Sequence, residues 1–430
     1  MHEFDYQKGR LFCEGVDLAE LASTHGTPLY VYSEKTIKDN FNSLSSALSD
    51  LDHKIAFAVK ANSNLSVLKL LNEIGADFDI VSGGELFRVL KAGGSADKCT
   101  FAGVGKTREE IEYSLEEGIY SFNVESEAEL RFINQIAKEK NVIAPVAVRV
   151  NPNVDAKTHK YISTGKSENK FGIDFEFIEG LYSKASSELK NVQLRGIQMH
   201  IGSQLTEVKP FLEAVEKVSP LVAKLKTLHG IEFFSIGGGI GIVYEDALAS
   251  GKKDWWDNKD SNNKPLTVEE YAKKLVPTLK ALDIKILLEP GRFMVGNAGA
   301  LISKVLYKKI GTAKNFVIVD AGMGDLIRPA LYQGHHEIVP LIQDAKDNQV
   351  VDIVGPICES GDFFAQNREL PHLEEGDHIA LLSAGAYGFV MASNYNSRSF
   401  PVEIMVSGNE HQVIRKRQNY NDLIRGEELY

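Results

Sequence analysis

Residues 54–82, KIAFAVKANSNLSVLKLLNEIGADFDIVS, read as a strand, a helix and a second strand. KIAFAVKA is a short apolar run of the kind that forms a buried strand. NLSVLKLLNEIG places its apolar residues three and four apart, the spacing of an amphipathic helix, and ends on Gly75, where helix C-caps favour glycine. ADFDIVS (76–82) resumes the strand pattern. The beat continues through CTFAG (99–103), YSFNVES (120–126), APVAVRVNP (144–152), LRGIQMHIGS (194–203), EFFSIGGG (232–239) and KILLEPGR (285–292). Between them lie GELFRVLKAGG, SEAELRFINQIAKEK and VKPFLEAVEKVSPLVAKLKTL, helical in period. Gly94 and Gly118 fall at two further helix ends. Eight strands alternating with helices over roughly 240 residues match a (β/α)8 TIM barrel, whose usual length is about 250. A doubly wound open sheet is the alternative, and the count of eight favours closure.

After Arg292 the rhythm changes. ALISKVLYKKI, NFVIVDAG, VVDIVGPIC, HIALLSAGAY and VEIMVSG follow one another with turns and little helical pattern, which predicts an all-β domain, a sandwich or small barrel. PLYVYS (28–33) precedes the barrel and looks like a strand of that second domain. The expected division is therefore a barrel over 36–290 and a β domain built from 1–35 plus 291–430. The polar stretch SGKKDWWDNKDSNNKP (250–265) reads as an inserted surface loop.

Composition narrows the function classes. The 430 residues are 43% hydrophobic and 25% charged, as in a globular protein large enough for two cores. No apolar run reaches the ~20 residues needed to span a bilayer, and the N-terminus shows no signal-peptide pattern. Three scattered cysteines, Cys13, Cys99 and Cys358, make neither a disulfide framework nor a metal cluster, so a reducing cytoplasm is the expected location. A net charge of −11 argues against nucleic acid as a partner. The basic cluster Arg415-Lys416-Arg417 reads as a solvated strand edge.

Barrel active sites sit at the C-terminal ends of the strands. Lys60 closes the first strand here, Asp79 sits in the second, and Arg149 ends the fifth. His200 and Ser203 end the sixth, Gly237-Gly238-Gly239 the seventh, and Glu289-Pro290-Gly291-Arg292 the eighth. Glycine lets backbone N–H groups approach a phosphate, and barrels often bind phosphate after strands seven and eight. A tight turn would explain the same glycines. A lysine in a buried strand is either ion-paired or poised for Schiff-base chemistry. Phosphate site and lysine in one mouth fit pyridoxal phosphate. Glu289 would then keep the pyridine nitrogen protonated, unless it simply bridges Arg292. His200 would stack on the ring, unless it is a hydrogen-bonded core histidine.

FAVKAN (57–62), MHIGSQ (199–204), IGGGIG (236–241), LEPGR (288–292), IRPALY (327–332), GPICESGD (355–362) and AGAYGF (384–389), in this order, resemble the diaminopimelate decarboxylase family. That family lies within the alanine-racemase-like, fold-type III pyridoxal-phosphate enzymes, and the resemblance spans residues 25 to 425. It implies a head-to-tail homodimer with shared active sites. Lys60 would bond the cofactor aldehyde, with Asp79 close behind it, His200 on the ring and Glu289 at the pyridine nitrogen. Ser203, the backbone of Gly239, Gly291 and Arg292, and the Tyr387 hydroxyl would hold the phosphate. Arg292, Arg328, Tyr332 and Tyr387 match substrate positions, the first three for the distal carboxylate. Glu359, from the partner subunit, would take the distal ammonium, and Cys358 would be the general acid. The segment Lys157–Gly172 resembles a loop that closes over the site.

The expected reaction is decarboxylation of meso-2,6-diaminopimelate to L-lysine and carbon dioxide, the last step of lysine biosynthesis. Decarboxylases of ornithine, arginine or carboxynorspermidine are the neighbouring reading. They typically carry a CDGxD-like motif where this chain has CESGD, and lack Arg328. A same-fold racemase would favour arginine at the pyridine nitrogen, where this chain has Glu289. A non-catalytic relative of the antizyme-inhibitor kind would have lost cofactor residues that are all present here.

Overall fold

The computed structural model describes residues 1–155, 170–258, 265–344 and 347–430. The expected closing loop at 157–172 therefore lies mostly outside the described residues, as does 259–264 of the polar insertion. The chain forms two compact units. One comprises Asn40–Ile242 and Pro265–Met294, the other Met1–Asp39, Val243–Lys264 and Val295–Tyr430.

The first unit is a closed parallel barrel. Its strands are His53–Ala58, Asp77–Ile80, Cys99–Phe101, Ser121–Val124, Ala144–Asn151, Val192–Gln198, Phe233–Ser235 and Lys285–Leu288. Each pairs in parallel with the next. Pairing of Ile286 with His53 through Leu288 with Ile55 shuts the ring. Closure explains why these strands read as continuous apolar runs rather than alternating ones: both faces are buried. Phe57, Phe78, Phe101, Phe122 and Phe233 are fully buried, and Ala147, Phe233 and Leu287 cluster together. The seventh strand is shorter than EFFSIGGG suggests, because the chain leaves the sheet at Ile236 to form the glycine turn.

Sequence-local signals set the helix ends. Ser82, Thr107, Ser126 and Thr267 each accept the N3 amide of the helix they open, as N-caps do. Gly118 caps its helix in the left-handed conformation. At the end of Gly83–Lys91 it is Gly93, at φ +90°, that turns the chain, not Gly94. Gly94 is glycine for a different reason: a Cβ there would lie 2.7 Å from Val89 Cγ1.

In the second unit, Leu29–Ser33 lies between Gly299–Ile310, antiparallel, and Val402–Ser407, parallel. Leu29, Val31, Ala300, Ile302, Ile404 and Val406 form its core. The polar insertion is not all loop. Helix Ala247–Ser250 leads into it, helix Lys253–Asn258 lies in its described part, and Trp256 Nε1 donates to Ser250 O at 2.7 Å. Strand Glu410–Arg415 is a sheet edge, yet Arg417 beyond it is not merely solvated: its Nη2 donates to Gly26 O at 3.1 Å and Pro28 O at 2.9 Å. Among the described residues no helix is long and apolar enough to cross a membrane.

Candidate active site

The chain exits the first barrel strand at Ala58 into a single 3-10 turn, Val59–Ala61, which carries Lys60. Its Nζ lies 2.9 Å from Asp79 Oδ2, with the Lys60 side chain 40% exposed and Asp79 buried in the neighbouring strand. The amine is thus held by a fixed anion yet stays accessible. Asp79 Oδ1 is buried with no hydrogen-bond partner among the described residues.

Glu289, just past the eighth strand, is buried at the same end. Ser235 Oγ donates to its Oε1 at 2.6 Å, Gln198 Nε2 to its Oε2 at 2.8 Å, and Asn123 Nδ2 to Oε1 at 3.4 Å. Burial raises its proton affinity well above that of an ordinary glutamate, and the negative charge of Asp79 raises it further. The donors Ser235 and Gln198 and the charge of Lys60 pull the other way. The alternative reading of Glu289, a bridge to Arg292, is not among the ion pairs of the described residues; Arg292 Nη2 donates to Ser203 Oγ at 3.2 Å.

The glycine turn closes against both neighbouring strand ends. A Cβ on Gly237 would lie 2.3 Å from Met199 O, one on Gly238 2.1 Å from Glu289 O, and one on Gly239 2.5 Å from Gly202 O. Gly237 and Gly239 also need positive φ, +72° and +112°. Packing of the turn therefore demands these glycines irrespective of any ligand. The amides of Gly239 and Gly291 donate to no acceptor among the described residues. His200 Nδ1 accepts from Gly238 N–H at 3.3 Å, which leaves its proton on Nε2. Burial, and the nearby cations Arg149 and Lys60, push the imidazole well below the usual histidine range, so it is neutral.

Behind this mouth runs a charge network of which the sequence announced only Arg149. Lys106 Nζ, on a 1% exposed side chain, donates to Gly103 O at 2.7 Å, Asn123 O at 3.0 Å and Glu129 Oε1 at 2.7 Å. Arg149 bonds Glu125 Oε1 at 2.7 Å, and Glu125 Oε2 accepts the Gly172 amide at 2.7 Å. The Arg149 guanidinium lies 4.9 Å from the centre of the Phe171 ring. Arg149 and Glu125 thus fix Phe171 and Gly172 against the end of the fifth strand.

The structure brings Lys60, Asp79, His200, Ser203, Gly239, Glu289, Gly291 and Arg292 to one end of the barrel. The remaining candidates belong to the other unit. Arg328 and Tyr332 bracket the short helix Arg328–Tyr332, with Arg328 buried. Tyr387 is half-buried at φ +56°. Cys358 and Glu359 are exposed. Their turn is held by Asp362, whose carboxylate accepts the amides of Ile357 and Met323 at 2.6 Å each, and by Asn396 Oδ1, which accepts the Cys358 amide at 2.8 Å.

A family model described as pyridoxal-dependent decarboxylase, pyridoxal binding domain, matches residues 34–296. Curated diaminopimelate decarboxylases of Pseudomonas fluorescens and Vibrio cholerae are 47% and 46% identical to the chain. They cover 100% and 98% of it, over 99% and 98% of their own lengths. The chain belongs to the diaminopimelate decarboxylase family. Solved members share its fold. The Helicobacter pylori diaminopimelate decarboxylase complexed with L-lysine superposes with a TM-score of 0.87 at 40% identity, covering 95% of this chain and 98% of its own. The M. jannaschii decarboxylase in co-complex with L-lysine gives 0.90 at 38%, covering 100% and 99%. The enzyme is a carboxy-lyase whose cofactor is pyridoxal phosphate. Its residues fit that group. An accessible amine, a buried carboxylate of high proton affinity, an unsatisfied Asp79 oxygen and two uncommitted glycine amides are what an aldehyde, a pyridine nitrogen and a phosphate would require.

Proposed function

We propose that this decarboxylase acts on meso-2,6-diaminopimelate, releasing carbon dioxide and L-lysine as the last step of lysine biosynthesis. When bound, pyridoxal phosphate supplies an electron sink for the pair left by the departing carboxylate. Lys60 is the amine that would hold the aldehyde, and Asp79 Oδ2, 2.9 Å away, orients it. Glu289 would keep a proton shared with the pyridine nitrogen. Neutral His200 would cover the ring without adding charge. Ser203, the amides of Gly239, Gly291 and Arg292, and the Tyr387 hydroxyl would hold the phosphate.

The substrate reading rests on Arg328. The substrate has an amine and a carboxylate at each end, so the end remote from the chemistry needs a cation and an anion. A guanidinium suits a carboxylate. Arg328, Arg292 and Tyr332 would bind that carboxylate, Glu359 the distal ammonium, and Tyr387 would contact the substrate as well. Cys358 would return the proton to the carbon that loses carbon dioxide. Both Cys358 and Glu359 would come from the partner of a head-to-tail homodimer. We read 36–290 as the cofactor domain, 1–35 with 291–430 as the second, and the cytoplasm as the location, in keeping with three unpaired cysteines.

The test is carbon dioxide release from diaminopimelate, ornithine, lysine and arginine side by side. Diaminopimelate should exceed the others in kcat/KM by at least about a hundredfold, well within the ~10⁴-fold by which a site built for a polar group can reject analogues lacking it. Comparable turnover of ornithine would discard the two-headed reading.

A further inference from the structure

Arg328 is buried, and a buried guanidinium must be held by something. A carboxylate would hold it best but would also discharge it against any incoming anion. One of the groups that hold it here is a histidine, and that histidine is neutral. Arg328 Nη1 lies 2.6 Å from His336 Nε2, and His336 Nδ1 lies 2.8 Å from Leu382 O. A carbonyl only accepts and a guanidinium only donates, so Nδ1 carries the hydrogen and Nε2 offers its lone pair to Arg328. That fixes one neutral tautomer, so His336 itself adds no charge against Arg328.

Two more surfaces shape the same site. The Tyr244 ring centre lies 4.3 Å from Arg328 Cζ, and the Tyr244 and His336 rings meet edge to face at 5.3 Å. After the helix, Gln333 turns the chain at φ +52° and Gly334 N–H donates to Arg328 O at 3.2 Å. A Cβ on Gly334 would sit 3.3 Å from Arg328 Nη2 and 3.5 Å from Cζ. Histidine on one nitrogen, an aromatic face and a side-chain-free turn together restrict the fork.

We propose that His336 is a positioning residue for substrate selection: it aims the Arg328 guanidinium, with Tyr244 and Gly334 completing the clamp, without neutralising it. This rests on the reading that Arg328 binds the distal carboxylate. The test is titration of holoenzyme, followed by the cofactor absorbance, with L-lysine and with 1,5-diaminopentane, which carries no carboxylate. His336→Asn keeps a donor for Leu382 O and loses the acceptor for Arg328. It should weaken lysine about tenfold and the diamine by less than twofold, the lower end of what a hydrogen bond to a charged group contributes. His336→Gln, which keeps an acceptor near the Nε2 position, should recover most of the lysine affinity. Should His336→Asn fail to fold, Tyr244→Leu should give the same selective loss. Equal weakening of both ligands, or none, would overturn the proposal. Arg328→Gln separates the two claims. If it abolishes the advantage of lysine while the His336 and Tyr244 variants keep it, only the positioning role falls. If Arg328→Gln itself keeps that advantage, the carboxylate reading falls and takes this inference with it.

Discussion

Glu289 and Asp325 are both buried carboxyls whose proton affinity burial has raised, and their surroundings show why such a shift does not by itself mark a site. Glu289 takes side-chain donors from three other barrel strands and stands beside Asp79 and Lys60 at the open end. Asp325 accepts the Gly322 amide at 2.8 Å three residues back, and its carbonyl accepts Tyr30 Oη at 2.6 Å. Its role is to pin a turn. Burial lifts its pKa from 3.8 to about 6, with Asp320 and Asp362 adding to the rise, while the Gly322 amide and the charge of Arg398 lower it. The folded state therefore holds this proton more tightly than the unfolded chain. That contribution is complete below pH 3.8 and lost as pH rises through about 6. Asp325→Asn keeps an oxygen for Gly322 and cannot ionise. Relative to wild type its stability should climb across this window, by at most on the order of 2–3 kcal/mol. Paired melting curves from pH 4 to 7.5 would show a widening gap in Tm; a constant gap would mean that Asp325 titrates like an exposed aspartate.

Elements hold one another at the barrel mouth through Lys106, which ties the loop after the third strand to Asn123 of the fourth strand and Glu129 of the helix beyond it. Lys106→Met should cost about 3–5 kcal/mol, because Glu129 is left buried without its cation. Lys140→Met, at an exposed bridge to Glu116, should cost under about 1 kcal/mol. Denaturant titration distinguishes the two, and equal costs would show that the Lys106 network is relaxed. GVGKTREE gives no hint of this lysine, whereas AFAVKAN pointed to Lys60 at once. The difference is physical. Period and glycine placement reveal strands and their ends, and once eight ends share a mouth, Lys60, His200 and Glu289 must be neighbours. Lys106, Gln198, Ser235 and His336 take their meaning from partners on other elements, reached only through sheet register or a left-handed turn. The insertion failed for a related reason: its short helices are organised by Trp256 Nε1 capping Ser250 O, not by a repeating apolar face.

At the scale of the molecule one chain divides its candidate residues between two units. Lys60 sits in the barrel unit, whereas Cys358 and Glu359 stand exposed on a rigid turn of the other unit, fastened by Asp362 and Asn396. Exposure suits residues meant for a partner's site, since a general acid left in water would exchange its proton with solvent instead of delivering it to one carbon. In the proposed homodimer each site takes Lys60 from one chain and Cys358 from the other. Lys60→Ala and Cys358→Ala chains should each be inactive, but a mixed dimer puts both lesions in one site and leaves the second intact. Random exchange makes half of the dimers mixed, each with one working site of two, so activity should return to roughly a quarter of wild type. Differently tagged chains that co-purify establish that exchange took place. If they do and no activity returns, each chain completes its own site, and Cys358 and Glu359 must reach the cofactor within a single subunit.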